Sequence, residues 1–215
     1  MQQEGTIALF QYWNRLRDGR TAPARREVEP ADIKSLLADT FILEADNLGD
    51  AIFRLAGTRL CAIYDRELKG ISFPSLWRLD DHHMVLKLLS AVFIQRSVAV
   101  LSFNGRSRAG RSMLFEMLLL PLDAGRDSPR CLGLVTACER AYWLGADPVV
   151  EAKIDAVRIV DPDLAPEFVE SRPLVAAGAH AVHNHAVHNI ANDRRSSHQP
   201  RRVRHLVVFN GGRER

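Results

Sequence analysis

Glu116 is the residue whose position most needs a chemical explanation. It interrupts a nearly continuous apolar run from Met113 to Leu122, and a lone buried carboxylate is costly unless it is paired. Two interpretations follow. Either the carboxylate forms a structural ion pair with an arginine on a neighbouring strand, such as Arg54, or it faces a cavity and binds a ligand there.

Other patterns that could do chemistry are weaker. Six of the eight histidines fall within residues 171–215, and histidine-rich tracts can bind divalent metals. No nearby carboxylate or cysteine completes a tetrahedral set, so we predict no metal site. The chain has no GxSxG motif and no phosphate-cradling glycine loop, so we predict no catalytic residue and no enzyme activity.

Composition places the chain among ordinary globular proteins. It has 215 residues, of which 47% are hydrophobic and 26% charged, enough for a sizeable core in one domain with appendages. No apolar run approaches the roughly 20 residues that span a bilayer, and no secretory signal is evident. The odd set of cysteines, Cys61, Cys131 and Cys138, fits a reducing compartment, so we predict a cytoplasmic protein.

The positive charge is concentrated at one end. The whole chain carries +3, and residues 171–215 carry +6 from eight arginines and two acids, which leaves −3 for residues 1–170. The basic pI therefore belongs to the tail, and its clusters Arg194-Arg195 and Arg201-Arg202 lack interleaved aromatic residues. A nucleic-acid or membrane partner is not favoured.

Residues 4–18 are predicted to form a helix because their apolar residues recur at helical spacing. One interpretation packs this helix on its own domain. The other makes it a dimerisation helix, since its aromatic surface is wide, and assigns the dimer interface to Leu9, Phe10, Trp13 and Leu16.

The strand and helix patterns predict an α+β fold. Apolar, β-branched runs bounded by turn residues predict strands at 40–45, 51–56, 97–103, 113–122 and 131–138. The strongest helical pattern runs from Met84 to Phe93, after a cap at Asp80 or Asp81. The result is a five-stranded antiparallel sheet with helices between strands 2 and 3, plus an N-terminal helix. We predict an N-terminal helical segment at 1–39, a central domain at 40–145, and a partly flexible His/Arg-rich extension at 146–215.

An ordered set of short motifs accompanies this strand order. It comprises Tyr12-Trp13 with Leu16-Arg17, Phe53-Arg54-Leu55-Ala56-Gly57-Thr58, Leu60-Cys61, Arg66-Glu67-Leu68, Leu76-Trp77, Glu116 with Leu119-Leu120-Pro121-Leu122, Leu132-Gly133 and Trp143-Leu144-Gly145. The set resembles the PAS-domain family of small alphaproteobacterial proteins over residues 8–160, with a further motif at 205–212. One departure is Asp65, where a glycine would be expected in a tight turn.

The resemblance implies sensing or regulation rather than catalysis. PAS domains bind small ligands between sheet and helices, or bind partners through the outer sheet face and flanking helices, and many dimerise through an N-terminal helix. The predicted cavity lining is Arg54, Cys61, Tyr64, Leu88, Val92, Met113, Phe115 and Glu116. The apolar members of this set are equally suited to an ordinary core.

Cofactors that some PAS sensors hold are not predicted here. A haem ligand should lie deep on the apolar face of its helix, whereas His82 and His83 stand at the helix start and are interpreted as exposed. Photosensor PAS domains place their cysteine within Asn-Cys-Arg, a context that Cys61 lacks. We interpret Cys61 as a small buried hydrophobe, with a thiol redox sensor as the alternative.

Three functional hypotheses remain. The first is a stand-alone regulatory PAS protein of bacterial signal transduction that acts through an unidentified protein partner, as a homodimer. The second is a sensor whose cavity binds a metabolite, lipid or haem. The third is an adaptor whose basic tail engages membrane or nucleic acid.

Overall fold

A single antiparallel sheet organises the chain. The computed structural model describes residues 1–46, 50–124 and 129–164. Within them the strands are β1 (Thr40–Ala45), β2 (Ala51–Ala56), β3 (Val98–Ser107), β4 (Ser112–Leu122), β5 (Arg130–Ala137) and β6 (Val149–Val160). Their spatial order is β2-β1-β5-β4-β3-β6. The helices are α1 (Glu4–Arg17), α2 (Thr58–Tyr64) and α3 (His82–Phe93), and short 3₁₀ turns lie at Arg25–Glu27, Pro30–Ile33, Leu37–Asp39, Pro74–Leu76 and Leu79–Asp81.

The predicted α+β fold is confirmed, but the sheet has a sixth strand. Residues 149–160, which we assigned to a C-terminal extension, pair with β3 over ten registered positions. The domain therefore continues past residue 145. The chain divides into two units, Met1–Pro173 and Leu174–Arg215. The second unit, with the predicted tail histidines and basic clusters, lies outside the described residues.

The inner face of the sheet carries the larger core. Alternate residues of β4, from Met113 and Phe115 to Leu119, point inward because side chains alternate across a strand. They pack against the apolar side of α3, which includes Leu88 and Val92. Met84, which shares the apolar pattern of α3, is exposed.

The outer face carries a second core beneath α1. Leu118, Leu120 and Leu122 of β4 alternate with the inward set and pack with α1 residues Leu9 and Trp13. Trp13 donates its indole N–H to the Pro121 carbonyl at 2.8 Å, which fixes the middle of the helix to β4. Both faces of the sheet are thus covered, as the apolar character of β4 predicts.

Two close approaches explain the glycines of the motifs. A Cβ on Gly57 would lie 2.3 Å from the Leu37 carbonyl oxygen, so the turn from β2 into α2 needs a residue without a side chain. A Cβ on Gly133 would lie 2.1 Å from the Phe41 ring, which occupies that space across the β1–β5 pair. Asp65, the departure from the expected glycine, adopts the left-handed conformation at φ 49°.

Candidate functional site

The space between the sheet and the helices holds one continuous cluster of buried side chains. Tyr64, Leu88, Val92, Met113 and Phe115, five of the predicted cavity residues, are all buried members of the inner core. Burial raises the pKa of the Tyr64 hydroxyl above its ordinary value. In this structure, these side chains contact one another as core residues.

A row of aromatic rings runs through this interior. Neighbouring ring centroids along it are separated by 5.1–5.7 Å, in the order Phe41, Phe53, Phe73, Trp77, Phe103 and Phe115. The geometries are mostly tilted or edge-to-face, as expected of well-packed aromatic residues. The row leads from β1 through β2 and the Pro74–Leu76 turn to β3 and β4.

Trp77 is the residue of this row whose buried polar group is unpaired. Its side chain is 5% exposed, and its indole Nε1 has no hydrogen-bond partner among the described residues. A buried donor without an acceptor costs about 1–3 kcal/mol. The sequence motif Leu76-Trp77 marks this residue, but sequence alone does not indicate that its N–H is unpaired.

Glu116 lies on the opposite face of the sheet. It is 6% exposed and belongs to the outer-facing set of β4. Its carboxylate accepts backbone hydrogen bonds from Gln2 (2.8 and 2.9 Å) and from Gln3 (3.0 Å). The predicted ion pair with Arg54 is wrong, because Arg54 stands on β2, which neighbours β1 and not β4.

Arg54 also lies away from the interior, whereas Cys61 is a partly buried residue that packs against the inner core. The Arg54 side chain is 62% exposed, and its Nε lies 3.4 Å from the Glu44 carboxylate. Cys61 is half-buried, with its Sγ 3.8 Å from Glu67 and 4.0 Å from the Ala56 carbonyl oxygen. The structure therefore does not bring the eight predicted cavity residues together.

The predicted dimer-interface residues are part of the protein's own outer core. Leu9, Phe10 and Trp13 are buried against the sheet, and Leu16 is partly buried beside them. A dimer contact through the first three would require α1 to leave the sheet. Their assignment to a dimer interface, like the dimer itself, stays a prediction.

The histidines at the start of α3 lie at the surface margin. His83 is exposed, and His82 is half-buried with Nε2 3.2 Å from the Trp77 carbonyl oxygen. Asp81 does not cap the helix with its side chain; instead its carboxylate accepts the Ile154 backbone N–H at 2.9 Å. This bond ties the start of α3 to β6.

A groove on the outer face, at the β2 end of the sheet, brings charged residues together. It is lined by Arg25, Ile42, Arg54, Leu55 and Arg130. Sequence reasoning identified Arg54 but placed it in the interior, and it missed Arg25 and Arg130. The alternation of side chains along β2 separates Phe53 from Arg54. A register shift after Arg54 then pairs Leu55 with Ile42, so Leu55 also faces the groove.

The described residues form neither a metal-binding cluster nor a membrane-spanning helix. Within residues 1–46, 50–124 and 129–164, no group of three or more His, Cys, Asp or Glu side chains is placed to hold a metal ion. No described helix is long and apolar enough to cross a bilayer.

Comparison with known proteins identifies the class. The family model described as "PAS domain" matches residues 1–136, so the chain belongs to the PAS-domain family. Domains of this family are in general sensory or signalling modules rather than enzymes. No curated protein matches the chain.

Solved PAS structures resemble the chain over about half of its length. The PAS domain of an HTR-like protein from Haloarcula marismortui is 18% identical, with 50% of this chain and 89% of that chain covered and a TM-score of 0.38. A PAS domain from a two-component sensor histidine kinase is 18% identical, covering 46% and 83% with a TM-score of 0.35. The Rhodobacter sphaeroides LOV protein is 12% identical, covering 54% and 71% with a TM-score of 0.39.

Proposed function

We propose that the chain is a regulatory PAS protein that acts by binding a protein partner through its surface. The observation that carries this proposal is the cluster of buried side chains between the sheet and the helices. The aromatic row and the α3 side chains occupy the space in which a PAS ligand would lie. A signal that enters through a protein contact needs no such space.

Homodimerisation is the second part of the proposal. Because Leu9, Phe10 and Trp13 are committed to their own sheet, a dimer contact would use other apolar surface. Leu79, Ile94 and Tyr142 are each at least three-quarters exposed. Light scattering on the full chain across a concentration series tests this part, and a monomer at all concentrations contradicts it.

Partner binding is tested by photo-crosslinking in cells that naturally make the protein. A photoreactive amino acid replaces one exposed residue at a time, at Leu55, Leu79, Ile94, Tyr142 or Val150. We expect at least one position to give a discrete adduct with a second protein, while buried Leu118, substituted in the same way, gives none. Absence of adducts at all five exposed positions contradicts the proposal.

A small-molecule sensor is the second candidate, and the unpaired Nε1 of Trp77 favours it. A bound ligand with an acceptor atom would satisfy that donor. Native mass spectrometry of the purified full-length protein, with a visible absorbance scan, separates the candidates. A stoichiometric extra mass that Trp77→Phe removes supports the sensor, and a Soret band would return His82 and His83 to consideration. The chain mass alone, without visible absorbance, supports the partner-binding function.

A further inference from the structure

The outer-face groove defined by Arg25, Ile42, Arg54, Leu55 and Arg130 combines a charged rim with apolar surface. Its volume is about 260 Å³. Small-molecule sites usually enclose roughly 300–1,000 Å³. The groove therefore fits one or two side chains of a larger partner better than it fits a whole metabolite.

Glu44 holds two of the arginines in place. Its Oε2 lies 3.4 Å from Arg54 Nε and 3.2 Å from Arg130 Nε. Glu44 on β1 pairs directly with Arg130 on β5, so the sheet register fixes this contact. The closest contact uses Nε in both arginines, so their outer guanidinium nitrogens lie farther from Glu44. Arginine nitrogens in this position can bind a carboxylate with two parallel hydrogen bonds.

The charge is unbalanced among the described residues that line the groove and contact its arginines. Arg25, Arg54 and Arg130 supply three positive charges, and Glu44 contributes one negative charge to the same cluster. Between them, Leu55 is 46% exposed although it lies on a strand. Covering the exposed part of this leucine favours binding, because apolar surface leaves water. The groove thus presents arginines that can bind an anion, next to a leucine side chain that is about half exposed.

We propose that this groove docks an acidic segment of the partner protein, with a carboxylate on the arginines and an aliphatic side chain on Leu55. The inference rests on the proposed partner-binding function and names the chemistry of the partner. The excess positive charge of the groove and the exposed side chain of Leu55 both favour such a segment.

The chain's own tail is a poor occupant of the groove. Residues 171–215 carry +6, and like charges brought together at an interface are repelled. Nucleic acid and anionic membrane also fit poorly, because residues 1–170 carry −3 and would repel an extended polyanion. Glu44 inside the cluster adds to that repulsion. A single acidic peptide segment meets the local excess without covering the rest of the domain.

The first experiment measures the chemistry of the groove directly. A fluorescein-labelled peptide of alternating glutamate and leucine is titrated with the full chain at about 50 mM salt, where screening is weak. The control peptide has glutamine for glutamate. The double variant Arg25→Gln/Arg54→Gln is compared with Arg106→Gln/Arg158→Gln, which loses the same charge at exposed positions on β3 and β6.

We expect the groove variant to weaken glutamate-peptide binding by about tenfold or more. The control variant should stay within roughly twofold of wild type, as expected of distant surface charges. Equal weakening in both variants would mean that only net charge matters, and it would overturn the proposal. So would equal binding of the glutamate and glutamine peptides by the wild-type chain. Melting temperatures of both variants verify folding.

Photo-crosslinking from position 55 then separates this inference from the proposed function. An adduct whose crosslinked peptide is acidic supports the groove as the docking site. An adduct to a second copy of the chain, to nucleic acid or to a non-acidic segment overturns it. Adducts at Leu79, Ile94, Tyr142 or Val150 without one at Leu55 overturn the groove alone and leave partner binding standing. The absence of adducts everywhere removes both.

Discussion

Glu116 accepts the backbone N–H of Gln2 with both carboxylate oxygens, at 2.8 and 2.9 Å, although the two residues are 114 positions apart in the chain. The Gln3 N–H adds a third bond at 3.0 Å. Gln3 is the N-cap of α1 and Gln2 directly precedes it, and an anion beside a helix N-terminus is favourable. The buried carboxylate of β4 therefore anchors the start of α1.

Glu116→Gln should detach that start. The substitution replaces one acceptor oxygen by a donor group that faces other donors, which we expect to cost about 1–3 kcal/mol in unfolding free energy. Urea denaturation measures the cost, and hydrogen exchange at residues 4–8 should accelerate. Glu151→Gln is the control, because its 3.8 Å contact with Arg78 lies at the surface and should contribute little. Equal, small effects of both substitutions would contradict the anchoring role.

The two tryptophans with opposite hydrogen-bond states give a matched pair. Trp13 donates to the Pro121 carbonyl, whereas the indole of Trp77 has no partner among the described residues. Trp13→Phe loses a buried hydrogen bond and part of the indole's packing, so we expect a loss of about 2–4 kcal/mol. Trp77→Phe removes an unpaired donor, and its loss should be at least about 1 kcal/mol smaller. Chemical denaturation of the two variants checks the order, and a larger loss for Trp77→Phe would contradict it.

The stability changes caused by glycine-to-alanine substitutions should depend on the space available to the new Cβ. Gly57→Ala places its methyl against backbone atoms at 2.3–2.5 Å, and Gly133→Ala places it against the outer edge of the Phe41 ring at 2.1–2.6 Å. We expect each to destabilise the fold by several kcal/mol, on the order of 3 or more, or to prevent folding. Gly5→Ala is the control, because its nearest neighbours lie at 3.5 Å or beyond and helix α1 continues through it. It should stabilise by about 0.5–1 kcal/mol, and thermal melts suffice for the comparison.

The raised pKa of the buried Cys131 thiol predicts that the protein loses stability at alkaline pH. Burial raises the pKa of its thiol to about 12 from the ordinary value of 9.0. Below pH 9 the thiol is neutral in both states, and above it the unfolded chain loses the proton first. Stability is therefore lost as pH rises between 9 and 12, at up to about 1.4 kcal/mol per pH unit.

The test compares wild type with Cys131→Ala in urea at pH 8 and pH 10. Wild type should lose about 1 kcal/mol more than the variant over this interval, because the variant has no thiol to titrate. The variant is less stable at both pH values, so only the change with pH is diagnostic. Identical losses would show that the Cys131 thiol does not couple folding to pH.

Much of the fold follows from local pattern. The bounds predicted for β1 and β2 coincide with those observed, and α1 ends one residue earlier than predicted. Strand β6 was missed because the chain after residue 145 was interpreted as part of the tail. Its residues Glu151, Ala152, Lys153, Ile154 and Asp155 nevertheless alternate polar and apolar, the pattern of a half-buried strand.

The predicted cavity lining is divided between the two faces of the sheet for a different reason. Side-chain parity on β4 already separated Glu116 from Met113 and Phe115, and the same argument separates Arg54 from Phe53. Grouping them as one cavity lining ignored that parity. The alternation of side chains cannot show which group contacts each buried or charged side chain. The contacts between Gln2 and Glu116 and between Glu44 and Arg130 depend on which strands and helices become neighbours in the fold.

A fragment of this protein must include β6 to keep the edge of β3 paired. The family match ends at residue 136, before β6 begins at Val149. A chain cut at that limit would lose β6 and leave β3 as an unpaired edge containing the run Val98-Ala99-Val100-Leu101. Such edges recruit strands from other molecules. The shortened protein should aggregate, and the smallest soluble fragment should extend at least to Val160.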